Sequence, residues 1–344
     1  MATQTHATDQ NLWLPTISPS IDIQKQAVPA SATEPGYYGL PMLKRPTWTW
    51  EIAWYFFLEG LSSGCFLISS LADLSHPERY RKMARLGYLV SFASILPCAP
   101  LLIKDLGRPE RFYHMLRVFK PASPMNLGAW ALMGYTMPLS MLATGEFMAD
   151  LPLSNPMLKA VGKLLPKRLL GIMGIPCAVV MTSYPGVLLS TTSTPVWAKS
   201  RLLGSLFACA SMSSGVSALL LASEFSDSID SKTIRNLEKV KSLAWICEAA
   251  VLAGYLLTSG KTSQPLVTGK HKWTFWFGAV GIGLVAPRVI ESMKPKKSKK
   301  RSSILTSLMS LAGSFALKWA ITHAGRDSAM DPAAARNLSS KRDV

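Results

Sequence analysis

Long apolar runs, each about the length a helix needs to cross a lipid hydrocarbon core, decide what this sequence can fold into. A crossing helix takes roughly 20 predominantly apolar residues, because each adds about 1.5 Å along the axis of a core about 30 Å thick. Eight stretches of the 344-residue sequence meet that requirement, at 50–74, 83–104, 125–144, 169–193, 201–223, 243–259, 273–291 and 302–322. Pro97 and Pro100 are placed to kink the end of the second. The eighth is serine-rich and interrupted by Lys318. Charged residues gather between the runs, whereas a soluble domain would alternate short apolar runs with charged faces. The expectation is an all-α integral membrane protein of about eight transmembrane helices. Residues 48–323 form the membrane domain, 1–47 a polar N-terminal tail and 324–344 a polar C-terminal tail. The N-terminal tail carries no apolar segment of the kind a cleavable signal peptide needs.

The net charge of +17 would suit a nucleic-acid binder, but its distribution excludes that partner. Basic residues cluster after the odd-numbered runs. Arg79, Arg81, Lys82 and Arg85 follow the first, and Lys159, Lys163, Lys167 and Arg168 the third. Lys232, Arg235, Lys239 and Lys241 follow the fifth, and Lys294, Lys296, Lys297, Lys299, Lys300 and Arg301 the seventh. With eight spans all four clusters share one face, which the positive-inside rule makes cytoplasmic. Both termini are then periplasmic in a bacterial inner membrane. A short echo, Leu61-Ser62-Ser63-Gly64 in the first run and Met212-Ser213-Ser214-Gly215 in the fifth, suggests two parallel four-helix bundles.

Metal and haem chemistry find few ligands. Cys65, Cys98, Cys177, Cys209 and Cys247 lie at least 30 residues apart inside apolar runs, with no Cys-x-x-Cys pair. The five histidines, His6, His76, His114, His271 and His323, fall in the N-terminal tail, in loops or at span ends. An intramembrane haem needs axial ligands at depth. The expectation is therefore no metal site, no haem and no iron–sulfur cluster held by this protein.

The densest polar stretch joins the second and third runs: Lys104-Asp105-Leu106-Gly107-Arg108-Pro109-Glu110-Arg111-Phe112, then His114, Arg117 and Ser123-Pro124-Met125-Asn126. Its motifs DLGRPERF and SPMNLGAW resemble the signature of the NrfD / polysulfide reductase membrane-subunit family. Trp50 to Gly64, WEIAWYFFLEGLSSG, is similar to that family's first span. Tyr184-Pro185-Gly186-Val187-Leu188-Leu189, followed by Pro195 and Trp197, is similar to its fourth. The resemblance is carried by motifs from Trp48 to Ser223 and beyond them mainly by span count.

The resemblance implies a membrane subunit of a respiratory oxidoreductase. It would exchange electrons between a quinone (menaquinone or ubiquinone) and a ferredoxin-like iron–sulfur subunit, itself serving a molybdopterin or cytochrome subunit. Quinol chemistry needs hydrogen-bond partners and a proton acceptor at a membrane edge. Glu51, Tyr55 and Glu59 are spaced to share one face of the first helix, with Glu59 about 12 Å deeper than Glu51. The expected quinone partners are Glu51, Tyr55 and Tyr184, together with Arg108, His114 and Asn126. Glu59 and Asp105 are the expected proton path. Pro185 departs from the small polar residue expected beside Tyr184, and many relatives have glycine where Glu59 stands. Two other readings stay open: a proton- or solute-translocating transporter, suggested by proline-broken helices and buried acids, and a non-catalytic membrane anchor. Glu248 and Arg288 could pair across the second half as a proton route or a lock.

Overall fold

The computed structural model describes residues 43–150, 166–226, 229–293 and 299–339. Lys159, Lys163, Lys294, Lys296 and Lys297, and the outer parts of both expected tails, lie outside the described residues.

Each apolar run forms a helix, since a backbone crossing lipid must satisfy its own hydrogen bonds. In sequence order they are α1 (Trp50–Ser75), α2 (Pro77–Ile95), α3 (Cys98–Asp105), α4 (Pro124–Asp150), α5 (Lys167–Ser190), α6 (Leu203–Ser223), α7 (Ser231–Ser259), α8 (Thr274–Ser292) and α9 (Lys299–Ser328). The second crossing breaks at Leu96-Pro97, where proline cannot donate its turn's hydrogen bond, and resumes as α3. The Thr274–Val285 part of α8 is a π-helix. Seven crossings among the described residues are long and apolar enough to span a membrane. The eighth, α4, is 27 residues long and packs between α2 and α5. The crossings extend beyond their apolar cores. α7 begins three turns before the expected 243, on polar residues, and α9 runs six residues past 322, into the expected C-terminal tail. Pro332–Ser339 adds a short amphipathic helix there.

The first half packs α1, α2, α4 and α5 together, and the second α6, α7, α8 and α9. The halves meet along α1 and α6, and the Ser-Ser-Gly echo lies on the seam. Phe56 meets Phe207, Gly60 meets Ser211 and Gly64 meets Gly215, at a constant sequence offset advancing four residues at a time. Equal offsets in the same direction mean that the helices run parallel. At Gly64 and Gly215 backbone touches backbone: a Cβ on Gly64 would strike the Ser211 carbonyl, and one on Gly215 the Gly64–Cys65 peptide. Glycine therefore sets the approach distance of the halves.

The halves repeat an ion-pair device at one end. In the first, Glu146 at the end of α4 takes Arg81 and Arg85 from α2 (3.7 Å from Arg85 Nε) and Lys167 from α5 at 2.9 Å. In the second, Glu291 at the end of α8 takes Lys241 from α7 at 3.1 Å. These anchors join basic clusters after the first, third and fifth runs on one face, called here the basic face. The perimeter between the two ends is apolar, with Met173, Val179, Leu243, Ile246 and Phe277 among its exposed side chains, as a lipid-facing surface must be.

Candidate functional site

At the end opposite the basic face, α1, α3, α4 and α5 enclose a cavity. Its walls are largely apolar, with Trp48, Ile52, Phe56, Leu102, Met125 and Leu188 among them. Tyr55, Asp105 and Tyr184 supply polar groups from three different helices.

Each is held for a local reason. Tyr184, in α5, donates from its hydroxyl to the Pro124 carbonyl at the start of α4, at 3.1 Å. Its ring lies where a side chain on Gly128 would stand, so that glycine makes the space for it. Tyr55 is buried one turn from Glu51 and packs on Phe56. Asp105 ends α3, where the chain turns at Gly107 with φ of 69°, a left-handed conformation glycine tolerates and other residues resist.

Glu51 stands on the first turn of α1, beside lining residue Ile52. Thr49 donates to its carboxylate, and Lys104 approaches it at 3.3 Å while lying 4.5 Å from the Trp50 ring centroid. Its acceptors are thus already engaged by a neutralising network next to the cavity. Asn126 ties down the loop. Its amide donates to the Met115 and Val118 carbonyls at 2.7 and 3.0 Å, and its oxygen accepts from the Lys120 N–H at 2.6 Å. Arg108 and His114 are exposed and lie outside the cavity lining; His114 packs on Tyr113 at 4.4 Å. The structure thus brings Tyr55, Asp105 and Tyr184 onto one cavity with Glu51 beside it, makes Asn126 a loop brace, and leaves Arg108 and His114 on the surface.

Glu59 lies one turn deeper than Tyr55, fully buried, with neither carboxylate oxygen hydrogen-bonded. It is an electrostatic neighbour of Tyr55, Tyr135, Tyr184 and Lys318. Beneath it Ser62 donates to the Ser91 carbonyl and shares a hydrogen bond with the Tyr135 hydroxyl, both at 2.7 Å. Lys318 was legible only as a blemish in the eighth run, although a lysine in mid-span is costly enough to be a signal in itself. Arg288 does not reach Glu248. It pairs with Glu291 at 3.2 Å, bonds Ser242 and lies over Trp245. Glu248 instead faces Ser213 and Lys318.

The cavity is thus largely apolar, with two phenol hydroxyls and one carboxyl among the groups that line it. The family model described as polysulphide reductase, NrfD, matches residues 40–327. The protein is 29% identical over 302 residues to the C chain of polysulfide reductase from Wolinella succinogenes, covering 81% of its own length and 94% of that relative. It is 24% identical over 303 residues to protein NrfD of Escherichia coli K12, covering 81% and 95%. The C subunit of selenate reductase from Mesobacillus selenatarsenatis is 20% identical over 313 residues, covering 79% and 72%. With its helical membrane architecture and a family match over most of its length, the chain belongs to the NrfD polysulphide reductase family of oxidoreductase membrane subunits.

Proposed function

We propose that this protein is the quinone-reacting membrane subunit of a respiratory oxidoreductase, passing electrons between the quinone pool and a peripheral iron–sulfur subunit. The observation that carries the reading is the cavity at the end of the first half. It sits at a membrane edge, and its apolar wall is broken by Tyr55, Asp105 and Tyr184. The names of the relatives, subunits of polysulfide and selenate reductases, support membership of such a complex.

A quinol bound there supplies two electrons and two protons on oxidation. The apolar walls exclude water and hold the ring by its faces. Tyr184, fixed through Pro124, presents its hydroxyl oxygen at a set position, and Tyr55 adds a second hydroxyl from α1. Asp105, half-buried where the cavity meets the loop, is placed to accept a proton and pass it to the aqueous edge. Glu51 with Lys104 and Thr49 supports that edge electrostatically. The loop beyond, with exposed Arg108, Glu110 and Arg111 and the aromatic rings Phe112, Tyr113 and Phe119, gives the partner subunit a surface beside the cavity.

The test is quinol turnover by the purified complex with a soluble quinol analogue and an artificial electron acceptor. Tyr184→Phe should lower kcat several-fold, the size expected for losing one hydrogen bond worth about 1 kcal/mol, and Asp105→Asn, which removes the proton acceptor, should lower it by about a hundredfold or more. The complex should remain assembled on gel filtration. Unchanged turnover in both variants would place the reaction elsewhere.

A further inference from the structure

A second polar site lies on the outside of the molecule, where α7 leaves the basic face. Arg235, Glu238, Lys239, Ser242, Leu243 and Ile246 line an open groove there. Arg235, Lys239, Ser242 and Ile246 follow one another at steps of three and four residues, so they run down one side of the helix. Arg235 and Lys239 are exposed, and among the described residues neither closes an ion pair, although Glu238 stands between them.

Two neighbouring cations are already engaged. Lys241 is held by Glu291 at 3.1 Å and Thr306 at 3.2 Å. Arg288 of α8 pairs with Glu291 at 3.2 Å, donates to the Ser242 hydroxyl at 3.1 Å and lies 4.6 Å from the Trp245 ring centroid. Arg288 thereby steadies Ser242 on the groove wall. The Ser242 oxygen is the acceptor in that bond, so the hydroxyl keeps its own proton to donate.

The groove changes character with depth. Leu243 and Ile246 are exposed on a helix long and apolar enough to cross the membrane, so their side chains meet acyl chains. Ile246 lies about 10 Å deeper than Lys239 at 1.5 Å per residue. Unspent positive charge at headgroup level and bare apolar surface just below it are the two ends of one amphiphile. The charge balance sets its sign. In the hollow between α2 and α7 on the same face, Arg79 and Lys82 share the wall with Glu78 and Asp230, and the charges cancel. In the α7 groove two cations stand against one carboxylate, which leaves one positive charge.

We propose that this groove binds one anionic phospholipid of the phosphatidylglycerol class, with its phosphodiester between Arg235 and Lys239 and an acyl chain along Leu243 and Ile246. Basic residues at the cytoplasmic edge of membrane spans attract anionic headgroups in this way. Ser242 donates to a phosphate oxygen. Glu238 accepts from the headgroup glycerol hydroxyls and repels a second phosphate, so a singly charged lipid fits best. A choline headgroup would bring its own cation toward Arg235 and Lys239. The site lies on the second half, at the end of the molecule opposite the cavity, and does not depend on the quinone reading.

Native mass spectrometry of the full-length protein, released from detergent after titration with phosphatidylglycerol, phosphatidylethanolamine or phosphatidylcholine, tests it. The first phosphatidylglycerol should bind at least tenfold more tightly than either zwitterionic lipid. Arg235→Gln and Lys239→Gln should each weaken that binding about fivefold, the effect of one basic residue near a membrane surface, and the double variant at least tenfold. Arg79→Gln removes the same charge from the same face and should leave it unchanged. Phosphatidylglycerol should also raise the melting temperature of the wild type and not of the double variant. If the double variant does not fold, as judged by gel filtration, the two single variants carry the test. Equal affinity for the three lipids, or phosphatidylglycerol binding retained in the folded variants, would overturn the site. So would displacement by equimolar glycerol 3-phosphate, which has no acyl chain, or a lipid-free wild-type dimer that the double variant dissociates, which would make the groove an interface between copies.

Discussion

At the scale of single residues, sequence reveals which side chains are chemically unusual for their depth, and the fold decides what they do. Glu51, Tyr55, Glu59, Asp105, Arg108, His114, Asn126 and Tyr184 were legible as candidates from their place toward one end of the spans, and of these Tyr55, Asp105 and Tyr184 line one cavity. Asn126 sat in the same motif, but its role is to hold a loop, which follows from three backbone contacts that no spacing encodes. Lys318 needed the partner helices before its two backing residues, Phe56 and Ser211, could be seen. Glu146 is the sharpest residue-scale prediction. It is nearly inaccessible and is shared by Arg81, Arg85 and Lys167, so Glu146→Ala removes a carboxylate that three cations share, while Arg81 keeps Asp73 at 3.3 Å. Removing one side of a fully buried pair costs about 3–5 kcal/mol. Arg81 and Arg85 remain about a third exposed, which lowers the expected loss to about 2 kcal/mol. A lower melting temperature in detergent would register it, and Glu146→Asp should recover part of the loss.

At the scale of elements, apolar length located every crossing because lipid permits only self-satisfied helices. It located their ends less well, since a helix continues into water wherever caps and ion pairs support it. The polar first turns of α7 and the last turns of α9 are such continuations, and α9 there carries Asp327, paired with Arg45 at 3.3 Å. Proline marked the break between α2 and α3 because its chemistry acts on its own backbone. The Ser-Ser-Gly echo was visible as a repeat, but only the folded structure shows the two copies in contact. That contact makes a prediction: Gly64→Val forces a branched side chain against the Ser211 carbonyl, which cannot yield as a flexible side chain would. Overpacking of this kind costs about 1–3 kcal/mol. The melting temperature should fall, and fall further than for Gly171→Val, whose added Cβ meets nothing nearer than the Tyr88 hydroxyl at 3.6 Å. Equal shifts would show that the seam does not depend on close approach.

At the scale of the whole molecule, the two halves share an ion-pair device on one face and differ on the other. The first half ends in the cavity. The second ends in a packed cap, where Trp197 donates to the Ile321 carbonyl at 2.8 Å and stacks near Trp48, and Tyr255 donates to Val196. One half is thus open to a ligand and the other sealed, although a common plan underlies both. The clustering of basic residues on one face predicts orientation. A membrane-impermeant maleimide should label Lys120→Cys, on the cavity side, in intact spheroplasts, and Lys239→Cys only after permeabilisation. The opposite pattern would invert the protein in the membrane. The location of the quinone is tested most directly by photolabelling the complex with an azidoquinone and mapping the modified peptides by mass spectrometry. Label on the segments carrying Leu106, Met125 or Tyr184, suppressed by excess unlabelled quinone, is the expected result. Competable label confined to the second half, with none on those segments, would contradict a quinone site in the cavity of the first.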